Sequence, residues 1–151
     1  KGNYGKDEHY WSNTIDNPAK RVWEGLTFEQ VCKDHIAQIK KTLGISGVLS
    51  EESSWFIRGN RSDGESGAQI DLLIARRDKV ISICEIKFAG AEYVINKDYD
   101  LRLRNKVDTF KRSTGCKDSI QLVMITTYGL KQNEYSSVIH NQVKMDDLFA
   151  E

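Results

Sequence analysis

Proline occurs only once in the 151 residues, at Pro18, and no apolar run comes near the roughly 20 residues that a membrane-spanning helix requires. No transmembrane helix is therefore expected. Cysteine is equally sparse: Cys32, Cys84 and Cys116 lie far apart, form no CxxC pair and are odd in number, so neither a disulfide framework nor a zinc site is supported. Cys84 in an apolar strand and Cys32 on a helical face read as small hydrophobes. Charge of one sign is lacking too, with 22 lysines and arginines against 22 aspartates and glutamates. Without a global basic field, any nucleic-acid binding has to come from a local patch. The N-terminus has no basic-then-apolar signal-peptide pattern, and the expected compartment is the cytoplasm.

What is present suits a folded domain. Hydrophobic residues make up 39% and charged residues 29%, the balance of a globular chain with one core. The opening, "KGNYGKDEHYWSNTIDNPAK", is rich in turn formers and aromatics and starts at Lys1. It is expected to be an N-terminal arm, or the remnant of an upstream domain, over 1–20, with Tyr4, Tyr10 and Trp11 available for packing. The domain itself is expected over 21–151.

Periodicity places the elements. Phe28, Val31, Cys32, Ile36, Ile39 and Leu43 share one helical stripe, predicting a helix over 27–43 with Thr27 as N-cap and Gly44 as stop. "ISGVLSEESSWFIR" predicts one or two short strands, and "GNRSDGESG" a loop. Leucine and β-branched runs on both sides of "RRDK" predict a hairpin buried on both faces. Tyr99, Leu103, Val107 and Phe110 share a further helical face, "SIQLVMITTYGL" predicts a central strand, "SSVIHNQVKM" a weaker one and "DDLF" a short capped turn. This order predicts an α/β (α+β) domain: a mixed β-sheet flanked by helices.

Three charges interrupt the apolar hairpin "QIDLLIARRDKVISICEIKF": Asp71, Glu85 and Lys87. A charge in a buried strand is costly unless it is paired, hydrogen-bonded or holding a metal. A turn centred on Asp78 would set Leu73 opposite Ile83, Ala75 opposite Ile81 and Asp71 opposite Glu85, with Lys87 on the same face. Directly opposed carboxylates destabilise a sheet, and a hard divalent cation such as Mg²⁺ or Mn²⁺ reverses the sign. Lys87 beside such an ion would suit phosphodiester hydrolysis, positioning water and opposing the transition-state charge. The same spacing also fits an ordinary ion pair of Lys87 with Glu85 or Asp71.

"IDLLI" followed by "CEIKF" resembles the PD-(D/E)XK nuclease superfamily, whose fold is restriction-endonuclease-like. "WEGLTFEQVC" is similar to the helix of its resolvase-like branch. The resemblance implies metal binding by Asp71, Glu85, Ile86 and Glu29, and water positioning and charge stabilisation by Lys87. Ile70 stands where the superfamily motif has proline. The run from "WEGLTFEQVCKDHIAQIKKTLGI" through "GAQIDLLIARRD", "CEIKF" and "ITTYGL" to "DDLF" resembles the C-terminal nuclease-like domain of bacterial AAA-type ATPases. That family carries a P-loop module upstream; the chain has no G-x-x-x-x-G-K-[ST] motif.

Between Lys97 and Lys117, seven lysines and arginines face three aspartates, the best basic patch in the chain. Arg102, Arg104 and Lys106 are its candidates for phosphate-backbone contacts, although a charged outer helix face also serves plain solvation. Tyr99 reads as core. His9, His35 and His140 share no metal-ligand spacing, and Glu29 on spacing alone is an ordinary first-turn glutamate. The leading expectation is a Mg²⁺- or Mn²⁺-dependent deoxyribonuclease domain acting on DNA, coupled to an upstream ATPase module. The alternatives are a nuclease-like domain that binds nucleic acid or regulates the ATPase without cutting, and an interaction domain whose hairpin charges pair internally.

Overall fold

A computed structural model describes residues 17–59 and 67–151. The expected arm with Tyr4, Tyr10 and Trp11, and most of the predicted glycine- and serine-rich loop, lie outside the described residues. The first helix, α1 (Pro18–Lys33), begins nine residues before the predicted N-cap at Thr27. Asn17 caps it through Oδ1, which accepts from the Ala19 N–H at 2.9 Å, and Pro18 takes the first helical position, where its missing N–H costs nothing. Thr27 lies inside the helix, its hydroxyl donating to the Trp23 carbonyl at 2.8 Å. Nor is the helix continuous to Leu43: it stops at Lys33, and α2 (Ile36–Thr42) follows a short turn. Gly44 does end it, at φ +73°, a left-handed conformation that glycine adopts without strain.

Five strands form one mixed sheet in the order β1 (Ser50–Ile57), β2 (Ala68–Arg76), β3 (Val80–Lys87), β4 (Ser119–Thr126) and β5 (Asn141–Lys144). β1 to β3 are antiparallel; β3, β4 and β5 are parallel. The crossover from β3 to β4 carries α3 (Lys97–Thr114). Asn96 caps α3 by accepting from the Tyr99 N–H at 2.8 Å, and Gly115 closes it at φ +66°. The weaker predicted strand divides into a 3-10 turn at Ser136–Val138 and β5; α4 (Met145–Leu148) contains the start of "DDLF".

Each face of the sheet has its own core. On one, Leu72, Ile74, Cys84, Val123 and Ile125 pack against Phe28 and Cys32 of α1, Ile39 of α2 and Leu148 of α4. On the other, Ile70, Leu73, Ile83, Leu122 and Met124 pack against Tyr99, Leu103 and Phe110 of α3. The expected α+β class, a mixed sheet flanked by helices, is the architecture found.

The β2–β3 hairpin has the predicted pairs Leu73 with Ile83 and Ala75 with Ile81, and continues to Leu72 with Cys84. Its turn places Lys79 at φ +67°, the left-handed residue that a three-residue hairpin loop requires. The pairing stops there, so Asp71 and Glu85 are not the opposed partners that the sequence suggested. A register shift between Ser53 and Trp55 of β1 leaves β2 one residue long at that point. Ile70 therefore packs on the α3 face, while Leu72 packs on the α1 face, and Asp71 sits at the switch.

Candidate active site

The bulge gives Asp71 its role. Its Oδ2 accepts from the Ile86 N–H at 3.1 Å, taking the place of a backbone carbonyl where β2 leaves β3. The carboxylate thus lies in the plane of the sheet at the mouth of the hairpin. Its charge raises the pKa of Glu85 and Tyr99 on one side and of Cys32 and Cys84 on the other. Ile86 joins Asp71 through its backbone, while its side chain belongs to the α1-side core.

Glu85 and Lys87, two residues apart on β3, both face α3, as period two requires. They line a cleft of about 390 Å³ together with Gln69, Arg102, Asn105 and Lys106. Glu85 is only 1% exposed. Its Oε1 accepts from Lys106 Nζ at 2.7 Å and from the Tyr99 hydroxyl at 3.4 Å. Oε2 is buried and has no hydrogen-bond partner among the described residues. Burial pushes the Glu85 carboxyl above its usual range; Lys106 opposes that rise, Asp71 adds to it, and the net shift is upward.

Among the described residues Lys87 makes no salt bridge with Glu85 or Asp71, the ordinary ion pair that the spacing also allowed, although its charge opposes the rise at Glu85. Its Nζ lies 5.4 Å from the centre of the Tyr99 ring, and the Arg102 guanidinium stands at the same distance from that ring. Tyr99 is core, as expected, yet its hydroxyl reaches the site, and burial beside Glu85 holds its proton far above the ordinary tyrosine range.

The basic patch separates by helix geometry. Arg102 and Lys106, four residues apart, share the cleft-facing side of α3. Arg104 points elsewhere and pairs with Asp100 at 3.1 Å, its side chain 63% exposed. Lys106, a predicted phosphate contact, is the direct partner of Glu85. In the sequence Lys106 sits beside Val107 at the edge of the stripe containing Tyr99, Leu103 and Phe110, a place where lysine stems ordinarily snorkel, so spacing alone did not mark its contact with Glu85.

Glu29 is on α1, which packs on the opposite face of the sheet, and it pairs with Lys33 at 2.9 Å. It does not line the cleft. With Asp71 it acts on the Cys32 thiol, which burial and these two charges push up to about 12.

Mg²⁺ and Mn²⁺ need hard oxygens and are commonly held by one or two carboxylates with several waters; of the candidate carboxylates only Glu85 lines the cleft, beside the cations of Lys87, Arg102 and Lys106, and Asp71, like Glu29, does not line it. Among the described residues, no group of three histidine, cysteine, aspartate or glutamate side chains forms a larger ligand set.

No protein-family model and no curated protein matches the chain. Among solved structures it is similar to the crystal structure of AF1548, a protein of unknown function, with a TM-score of 0.50 and 12% identity over 78% of this chain. The match spans 64% of that protein's chain, less than two thirds of its length. At this identity the likeness shows a shared fold alone.

Proposed function

We propose that the chain is a divalent-metal-dependent nuclease domain that hydrolyses DNA phosphodiester bonds, built on a restriction-endonuclease-like sheet and working beside an AAA-type ATPase module. The observation that carries this reading is the buried, unpartnered Oε2 of Glu85 at a cleft containing Lys87, Arg102 and Lys106. A buried carboxylate oxygen without a donor is costly, and a bound cation would offset that cost.

A divalent ion held by Asp71 and Glu85 would supply Lewis-acid polarisation of the phosphodiester and neutralise its charge. The chain's own residues supply the rest. The Asp71 carboxylate is held by the Ile86 N–H, so its position follows the sheet. Lys87 is half-buried and makes no salt bridge among the described residues, although its charge reaches Glu85, and its ammonium would orient water and oppose charge developing on phosphorus-bound oxygens. Arg102 stands near it on α3, suited to a neighbouring phosphate.

Incubation with plasmid, single-stranded and branched DNA, with Mg²⁺ or Mn²⁺, tests this. Cleavage that is abolished by chelator, by Asp71→Ala and by Lys87→Ala supports it. No cleavage of any substrate, or cleavage that survives these substitutions, overturns it. The Lys106–Glu85 ion pair favours a second reading, a domain that binds nucleic acid without cutting it, because a site already half neutralised has less need of a metal. That reading predicts salt-sensitive DNA binding indifferent to loss of Asp71.

A further inference from the structure

The charged lining of the cleft is mostly cationic, with Lys87, Arg102 and Lys106 against Glu85 alone. The three cations are not equivalent. Lys106 is engaged with Glu85 Oε1 at 2.7 Å, and that carboxylate is almost wholly buried. Lys87 and Arg102 make no salt bridge among the described residues, although the Lys87 charge also reaches Glu85. Each lies 5.4 Å from the centre of the Tyr99 ring, so the two are no more than twice that distance apart. Tyr99 is 7% exposed and set edge-on against Tyr93 at 5.6 Å, a fixed ring with both cations around it.

We infer that Lys87 and Arg102 hold a phosphate monoester in this cleft without a metal ion, the end phosphate of a nucleic-acid strand or of a free nucleotide. The inference rests on the second, binding reading of the same cleft and names what it binds. Two positive charges without a paired carboxylate repel each other in a partly desolvated cleft, and an anion between them reverses the sign. A phosphate monoester carries about two negative charges at neutral pH. An internal phosphodiester carries one and compensates half as much. The shape agrees with a strand end. Buried Glu85, Tyr99 and Leu103 close the base, exposed Gln69, Arg102 and Asn105 form the rim, and the space of about 390 Å³ is that of a small-ligand pocket. Arg102 offers a planar fork for two phosphate oxygens, and half-buried Lys87 a point charge beside it. Lys106 keeps Glu85 from repelling the anion.

The test uses the 151-residue chain in EDTA at low salt. Fluorescence anisotropy compares a single-stranded oligonucleotide ending in phosphate with the same strand ending in hydroxyls, and with the same strand whose end phosphate is capped as its methyl ester. The phosphate-ended strand should bind about tenfold more tightly than the other two. Arg102→Ala, at an exposed position, and Lys87→Gln should each abolish that preference. Arg104→Ala, outside the cleft, should keep it. A nucleoside monophosphate that competes as well as the phosphate-ended strand assigns the site to free nucleotides; one that competes far more weakly assigns it to strand ends. Equal binding of the three strands, or a preference that survives both cleft substitutions or needs Mg²⁺, would overturn the inference while leaving the binding reading standing. If neither strands nor monophosphate bind, the binding reading fails with it.

Discussion

The two faces of the β-sheet come from the same strands and meet different helices. From β3, Ser82, Cys84 and Ile86 go to the α1 side, while Ile81, Ile83, Glu85 and Lys87 go to the α3 side. On the α1 side the chain buries Cys32 and Cys84 among aliphatic residues, and burial keeps both thiols protonated, with values pushed well above the ordinary cysteine range. The α3 side has the same apolar base near the turn, but its open end holds Glu85, Lys106, Tyr99 and Lys87. One face is a packing surface and the other is a packing surface with a site at its end. The difference is set by two features of the chain: a lysine at the edge of the apolar stripe of α3 and a bulge in β2.

The largest expected effect breaks the apolar face. Ile74→Ala removes a fully buried side chain beneath α1 and should cost about 3–4 kcal/mol in urea denaturation. Because it leaves the other face untouched, added Mn²⁺ should raise the midpoint of this variant by the same amount as in the wild type. Breaking the charged face comes next. Lys106→Met strands a buried carboxylate and should lower stability by about 2 kcal/mol, less than for a fully buried pair because Lys106 is partly solvated. Lys106→Arg should recover most of that loss.

A third test depends on sign. Burial raises the Glu85 carboxyl above its ordinary value, so the folded chain holds that proton more tightly than the unfolded chain. In chelator, the contribution of Glu85 to stability is therefore full below the ordinary glutamate range and is lost as pH rises through the raised value. Unfolding measured across that window should show the decline in the wild type and a flatter profile in Glu85→Gln. The smallest effect separates the arginines of α3. Arg104→Ala removes an exposed ion pair with Asp100 and should change stability by less than about 0.5 kcal/mol. It should also leave DNA affinity near that of the wild type, whereas Arg102→Ala, at the cleft, should weaken it.

Much of this arrangement was legible in the sequence. The hairpin pairs Leu73 with Ile83 and Ala75 with Ile81 follow from the turn at Asp78, and period two then sends Glu85 and Lys87 to one face. The position of Asp71 was not legible. Around it Ile70, Leu72, Leu73 and Ile74 are all apolar, so no polar alternation marks where the strand changes parity, and only pairing with β1 exposes the bulge. The start of α1 was missed for a related reason: Val22, Trp23 and Leu26 are exposed, so the first half of the helix lacks the stripe that defines its second half. Asn17 and Pro18 carried the correct capping signal. Glu29, assigned by resemblance, pairs with Lys33 instead of entering the cleft, and spacing could not show which face of the sheet its helix would cover.

The most direct test of the account is a crystal structure of the chain soaked in Mn²⁺, with anomalous scattering to locate the ion. The account predicts one anomalous peak coordinated by Glu85 Oε2 and the Asp71 carboxylate, with Lys106 still on Oε1. A cleft without a peak, with Glu85 neutralised by lysine alone, would contradict it.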